Sequence, residues 1–244
     1  MKLKGKVAIV TGSAKRVGRA IALVLAQKGV HLVIHYRTSL KEANSVVTEA
    51  RKYGVKASAL KADLSNVPDV KNLVKETLKI FGRLDILVNS ASLYEKHLLE
   101  NVSESHWDSH LDTNLKGPFF LAQAVAPAMK KKKAGKIINI IDSDVAKPYK
   151  HYLPYLVSKA GMVGLTHSLA IELAPEIQVN GVSPGPVLLQ KEWGPKIIKA
   201  ILKVTPLKRI GSPTDIANAV LFCLEGTDFM TGAIIPVDGG QHIE

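Results

Sequence analysis

The sequence predicts an α/β fold in one domain: a doubly wound parallel sheet of about seven strands with helices on both faces. Three observations carry that expectation. Short runs rich in Val and Ile alternate with longer stretches of helical periodicity, the pattern of strands buried beneath two helix layers. No linker, composition break or repeat interrupts the alternation over residues 1–244. With 244 residues, 46% apolar and 22% charged, the chain suits one large domain and excludes disorder, collagen-like repeats and low-complexity scaffolds.

The elements follow in order. Strands are expected at residues 7–10, 31–35, 56–60, 86–89, 136–141, 178–182 and 233–237, each a short run rich in Val, Ile or other apolar residues. Helices are expected at 17–28, 40–53, 67–81, 104–132, 152–173 and 214–224, where apolar residues recur at spacings of three and four. Segment 188–206 reads as less regular. Ligands of such sheets lie beyond the carboxyl ends of the strands, and the segments there are polar: TGSAKR, HYRTS, ADL, NSAS, DSD and SPGP.

Lys and Arg number 33 against 21 Asp and Glu, a net charge of +12. That balance favours anionic partners such as phosphorylated cofactors, acidic substrates or nucleic acid. Only six of the basic residues are Arg. The lysine run 130–133 ends a predicted helix, where cations complement the dipole, and no aromatic residue interleaves it; no nucleic-acid partner is expected. The single cysteine, Cys223, sits in the apolar run AVLFCL, reads as a core residue and implies no oxidising compartment. The N-terminal MKLKGKVAIVTG has too short an apolar run for a signal peptide, and no run reaches membrane-spanning length. A cytoplasmic protein without a membrane partner is expected.

Residues 11–18, TGSAKRVG, turn from the first strand into the first helix, whose free N–H groups favour a phosphate. Gly12 permits the tight turn, Gly18 lets the helix approach the sheet, Lys15 and Arg16 add positive charge, and Ser13 and Val17 complete this candidate cofactor turn. Simple strand-to-helix punctuation is the alternative. The second strand ends in Tyr36, Arg37, Thr38 and Ser39, with no carboxylate. A guanidinium and hydroxyls suit a 2′-phosphate, so NADP(H) is expected over NAD(H), the alternative being that Arg37 is an ordinary exposed charge. Asp63 and Leu64 follow the third strand, with Asp63 placed to accept from an adenine amino group. Asn89, Ala91 and Ser92 follow the fourth, where small side chains let a nucleotide lie close.

Tyr155 and Lys159 are four residues apart in a helical segment and share a face. A lysine ammonium beside a phenol lowers the phenol pKa from about 10 and makes it a proton donor and acceptor near neutrality; a surface helix pair is the alternative. His106 and His110 also share a helix face, but the intervening Trp107, Asp108 and Ser109 match no hydrolase motif, and no metal is expected.

Taken together, TGSAKRVG, NSAS, Asn114 in NLKGPF, the Tyr155 to Lys159 segment YLVSK, SPGP at 183–186 and VDGG at 237–240 resemble the short-chain dehydrogenase/reductases over essentially the whole chain. The resemblance implies a Rossmann-type domain, a cofactor also contacted by Pro184 and Gly185, and Lys159 on the nicotinamide ribose. It further implies Asn114 holding a water in the proton relay, and a homotetramer.

Two departures narrow the resemblance: Arg16 stands where a second glycine is usual, and Asp142 stands where the catalytic serine is usual, thirteen residues before Tyr155. Both are similar to pteridine reductases and dihydromonapterin reductases. That likeness implies NADPH-dependent reduction of a pteridine C=N bond in a dihydropteridine, dihydromonapterin or dihydrofolate. Asp142, Tyr155 and Lys159 would be catalytic, Tyr94 would stack on the pterin, Ser92 would contact it and Trp193 would cover it. A chemical argument agrees, because an ionised aspartate opposes a carbonyl oxyanion but accepts from a pteridine N–H. One alternative is that Asp142 only caps the strand end while Ser143 takes the serine role. Others are a carbonyl reductase such as a 3-oxoacyl thioester reductase and, more remotely, a noncatalytic NADP- or nucleic-acid-binding regulator.

Overall fold

The computed structural model describes residues 1–188 and 193–243. Each expected strand is present: β1 (Val7–Val10), β2 (His31–Tyr36), β3 (Ala57–Lys61), β4 (Ile86–Asn89), β5 (Gly135–Ile140), β6 (Ile177–Pro184) and β7 (Ile234–Val237). They form one sheet in the order β3-β2-β1-β4-β5-β6-β7, and every adjacent pair is parallel. The order reverses between β1 and β4, and the crevice at such a switch point is where doubly wound sheets bind ligands.

The helices are α1 (Arg16–Gln27), α2 (Leu40–Arg51), α3 (Val67–Phe81), α4 (Glu104–Leu111), α5 (Gly117–Lys131), α6 (Leu153–Glu172), α7 (Pro195–Val204) and α8 (Pro213–Glu225). Strand side chains alternate between two cores. Ala8 and Val10 of β1 join Ile21 and Leu25 of α1, Val46 of α2 and Val220 of α8, whereas Val7 and Ile9 join Leu73 of α3, Leu121 and Val125 of α5 and Leu169 of α6. Cys223 lies in the first core, and burial pushes its thiol up to about 11.

Some helix starts are capped by side chains. Asn66 accepts from the Asp69 N–H at 3.1 Å to start α3, and Ser212 with Asp215 forms a reciprocal capping box on α8. By contrast α1 has neither a side-chain cap nor an acidic residue in its first turn, which leaves its N-terminal N–H groups and positive dipole end directed at the crevice.

Two expectations are corrected. The helix expected at 104–132 is α4 and α5 joined by a π-helical turn at Asp112–Lys116. Part of segment 188–206, expected to be less regular, forms α7; residues 189–192 lie outside the described residues. Among the described residues, no helix is long and apolar enough to cross a membrane.

Candidate active site

A cleft of about 930 Å³ opens at the carboxyl ends of the central strands. Its first wall is the turn between β1 and α1, where Gly12, Arg16, Val17 and Gly18 all line the cavity. A Cβ on Gly12, whose φ is +63°, would lie 2.8 Å from Ala91 Cα, and one on Gly18 would lie 2.6 Å from the Gly12 carbonyl oxygen; both sites exclude a side chain. Arg16 itself has φ +54°, the left-handed region that suits glycine.

Neighbouring residues fix the turn from below. Thr11 Oγ1 accepts from the Ser90 and Ala91 N–H groups at 2.8 and 2.9 Å, tying the end of β1 to the end of β4. His35 accepts the Gly12 N–H on Nδ1 at 3.0 Å and donates from Nε2 to the Ala62 carbonyl at 3.1 Å, and burial lowers its pKa to about 4. The neutral ring thus takes one N–H expected to be free for a phosphate. Ser13 is fully buried and donates to the Val10 carbonyl, so its hydroxyl braces the turn and does not face the cleft.

Arg37 reaches the cleft and is exposed. Tyr36 packs on the core, while Thr38 and Ser39 lie outside the lining. Asp63 and Leu64 line the cavity; the Ser65 hydroxyl, bonded to Asp63 Oδ1 at 2.7 Å, holds the Asp63 carboxyl below the usual range. Ala91, Ser92, Pro184 and Gly185 also line it, but Asn89 does not: its amide donates to Asn139 Oδ1 at 2.8 Å and bridges β4 to β5.

At the other end Tyr155 donates to Asp142 Oδ2 at 2.5 Å, while Asp142 Oδ1 accepts the Asp144 N–H at 2.8 Å. Burial, and then the Asp142 carboxylate, push the Tyr155 phenol well above its usual 10. This corrects the expected lowering by Lys159. The Lys159 ammonium lies 5.8 Å from the Tyr155 ring centre and donates to the Ile140 carbonyl at 2.8 Å; complete burial brings it down to about 8 against the pull of Asp142. Asp144 shares the cleft, and burial, then Asp142 and Asp238, raise it to about 6. Ser143 is buried outside the lining, which removes the register-shifted serine.

Asn114 sits in the π turn, and its side chain is fully engaged with its own protein. Its Oδ1 accepts the Leu93 N–H at 2.7 Å, and its Nδ2 donates to the Leu93 carbonyl at 2.9 Å and to Ser158 Oγ at 3.0 Å. The amide clamps the loop that carries Tyr94. Tyr94 lines the cleft, but one of its faces stacks on Tyr152, with centroids 4.5 Å apart, and it meets the Tyr155 ring edge-on at 4.7 Å. Trp193 lines the cleft as well. Ile197 and Ile201, within the segment 188–201 read as a lid, line it too, whereas Tyr149 and Tyr152 were missed; the recurrence of tyrosine at 149, 152 and 155 was the available signal.

A family model described as enoyl-(acyl carrier protein) reductase matches residues 12–242. The chain belongs to the short-chain dehydrogenase/reductase family. It is an oxidoreductase of that family. Two relatives named 3-oxoacyl-(acyl-carrier-protein) reductase are similar to it end to end. One, from Staphylococcus epidermidis, is 38% identical over 98% of this chain and 99% of its own, and one from Synechocystis is 36% identical over 98% of each. A solved 7α-hydroxysteroid dehydrogenase, complexed with NADH and 7-oxo glycochenodeoxycholic acid, superposes with a TM-score of 0.93 at 32% identity, covering 98% of this chain and 95% of that one.

The two reductases overturn the pteridine reading, because they are similar over the whole length and carry the name of the carbonyl-reducing alternative. In the structure each Asp142 oxygen already accepts one hydrogen bond from its own protein, Oδ2 from the Tyr155 phenol and Oδ1 from the Asp144 N–H, so the carboxylate acts on the proton of Tyr155.

Proposed function

We propose that the chain is an NADPH-dependent carbonyl reductase whose substrate class is a 3-oxoacyl thioester. The observation that carries this reading is the Tyr155 hydroxyl, held protonated by burial and by the 2.5 Å bond to Asp142 in the wall of the cleft. A protonated phenol in that place is a proton donor, which reduction of a carbonyl needs at its oxygen. The full-length similarity to 3-oxoacyl-(acyl-carrier-protein) reductases supports the substrate class.

The residues present fit a dinucleotide. Gly12 and Gly18 let the turn close tightly on Ala91 and on α1, where a Cβ would collide with backbone, and the uncapped start of α1 with Arg16 suits a diphosphate. Arg37, with no carboxylate at the end of β2, suits a 2′-phosphate. Asp63 and Leu64 would border the adenine, and Ala91, Pro184, Gly185 and Lys159 the nicotinamide half. When bound, the reduced cofactor supplies a hydride. Tyr155 Oη passes its proton to the carbonyl oxygen as the carbon gains the hydride, so the ketone becomes an alcohol. Lys159 then offsets the charge left on the phenolate, and Asp142 orients the phenol before the transfer. Asn114 acts through Leu93, by holding the Tyr94 loop.

Oxidation of NADPH by the purified chain should proceed with a 3-oxoacyl thioester, and Tyr155→Phe should lower kcat at least about 100-fold, the low end for losing a general acid, while leaving NADPH binding intact. A wild-type chain that binds NADPH but turns over no 3-oxoacyl thioester would overturn the substrate class.

A further inference from the structure

We propose a divalent transition-metal site, of the zinc type, formed by Glu95, His97 and His110 behind the loop that carries Tyr94. One donor atom from each of the three lies within 4.8 Å of the others. None of them lines the cleft, although their neighbours Tyr94 and Lys96 do.

The histidines point to a missing ligand. His110, on α4, is fully buried, and its Nδ1 lies 2.8 Å from the His106 carbonyl, so Nδ1 carries the proton and Nε2 the lone pair. Among the described residues, that Nε2 is buried without a hydrogen-bond partner, as is Nε2 of His97. Two buried, unpartnered imidazole nitrogens in one cluster are costly unless something accepts their lone pairs. His97 Nε2 lies 3.5 Å from Glu95 Oε2 without hydrogen-bonding geometry, and its ring stands edge-on to His110 with centroids 5.7 Å apart.

The donor set matches a metal in kind and size. Two imidazole nitrogens and a carboxylate are borderline ligands suited to zinc, with a fourth position left for water. Bonds of about 2.0–2.1 Å in a tetrahedron place donor atoms about 3.3 Å apart. The His97 to Glu95 separation is already close to that, and the Glu95 side chain, 52% exposed, is free to move inward and leaves a path from solvent.

Orientation is built in behind the ligands, since the His106 carbonyl holds the His110 tautomer and the His106 ring stacks on His97 at 4.0 Å. The His97 N–H is anchored on the His151 carbonyl at 2.7 Å. His106, paired with His110 by sequence spacing, is not a ligand: its Nδ1 accepts the Ser103 N–H in the α4 capping box. Bound metal would clamp the Tyr94 loop to α4.

The site rests on none of the assignments in the cleft. Untagged, chelator-treated full-length protein, titrated calorimetrically with Zn²⁺, should bind one equivalent per chain, and the metal should raise Tm. Both His97→Ala and Glu95→Gln should weaken binding at least about 10-fold and abolish the rise in Tm. Cobalt should give the ligand-field absorption of a tetrahedral nitrogen and oxygen site in the wild type and not in His97→Ala. His110→Asn serves as a third variant, because His110 is buried and its loss alone is open to a folding explanation. No saturable binding, or equal binding by wild type, His97→Ala and Glu95→Gln, would overturn the site and assign any bound zinc to other surface histidines.

Discussion

Both oxygens of the Asp142 carboxylate are engaged, Oδ2 by the Tyr155 phenol and Oδ1 by the Asp144 N–H. The charge therefore acts on the proton of Tyr155, and its sign can be followed through a pH profile. Burial and Asp142 raise the Tyr155 pKa above 10, so the donor form is present across the neutral range and is lost only in strong alkali. Replacing Asp142 by Ser removes one of the two leading causes and must lower that pKa. In Asp142→Ser the alkaline fall of kcat/KM for reduction should move to lower pH, and the reverse oxidation, which needs the phenolate, should begin at lower pH. Profiles in both directions that coincide with the wild type would remove Asp142 from control of the proton. Spacing offered the Tyr155 and Lys159 pair with a surface helix pair as its alternative, and it could not show that Lys159 bonds to the Ile140 carbonyl or that Tyr152 covers one face of Tyr94. Those contacts join residues distant along the chain.

Among the elements, the turn from β1 into α1 sets two demands against each other. Arg16 at φ +54° bears about 1–2 kcal/mol of left-handed strain that glycine would avoid, while glycine loses about 0.5–1 kcal/mol through its freer unfolded chain. The difference is small, so Arg16→Gly should change stability by no more than about 1.5 kcal/mol, read as the urea midpoint. Its effect on the cofactor should be larger: a charge-assisted phosphate contact is worth about 1.5–3 kcal/mol, so KM for NADPH should rise about 10-fold or more. An unchanged KM would make Arg16 a bystander. Elements were legible where one periodicity runs unbroken, as in α3 and the seven strands. The π turn at Asp112–Lys116 was not, because its residues continue the helical pattern and the widening appears only in backbone pairing. For α7 the signal was present in Pro195 and in Ile197 and Ile201, one turn apart, but the polar, proline-containing surroundings masked it.

For the molecule as a whole, alternation of strands and helices was enough to place the sheet, and the carboxyl-end rule was enough to place the cleft. Substrate class was not legible, because Asp142 was weighed against substrate alone, and only folding brings the Tyr155 phenol and the Asp144 N–H to its carboxylate. The charge of +12 was read as a preference for anions but could not choose among them. The structure puts Lys15, Arg16, Arg37 and Lys96 on the lining of the cleft, all exposed, and among the described residues only Lys15 of these is offset by a close carboxylate, Glu42 at 2.8 Å. Exposed charges steer an anionic ligand over a distance set by ionic strength, with a screening length of about 30 Å at 0.01 M salt and about 8 Å at 0.15 M. Over that range kcat/KM for NADPH should fall several-fold, whereas kcat at saturation, which depends on the buried Tyr155 and Lys159, should hardly move. Steady-state kinetics across a salt series separates the two. A kcat/KM indifferent to salt would mean that the positive surface does not guide the cofactor, and that the fit at the glycine turn alone brings it in.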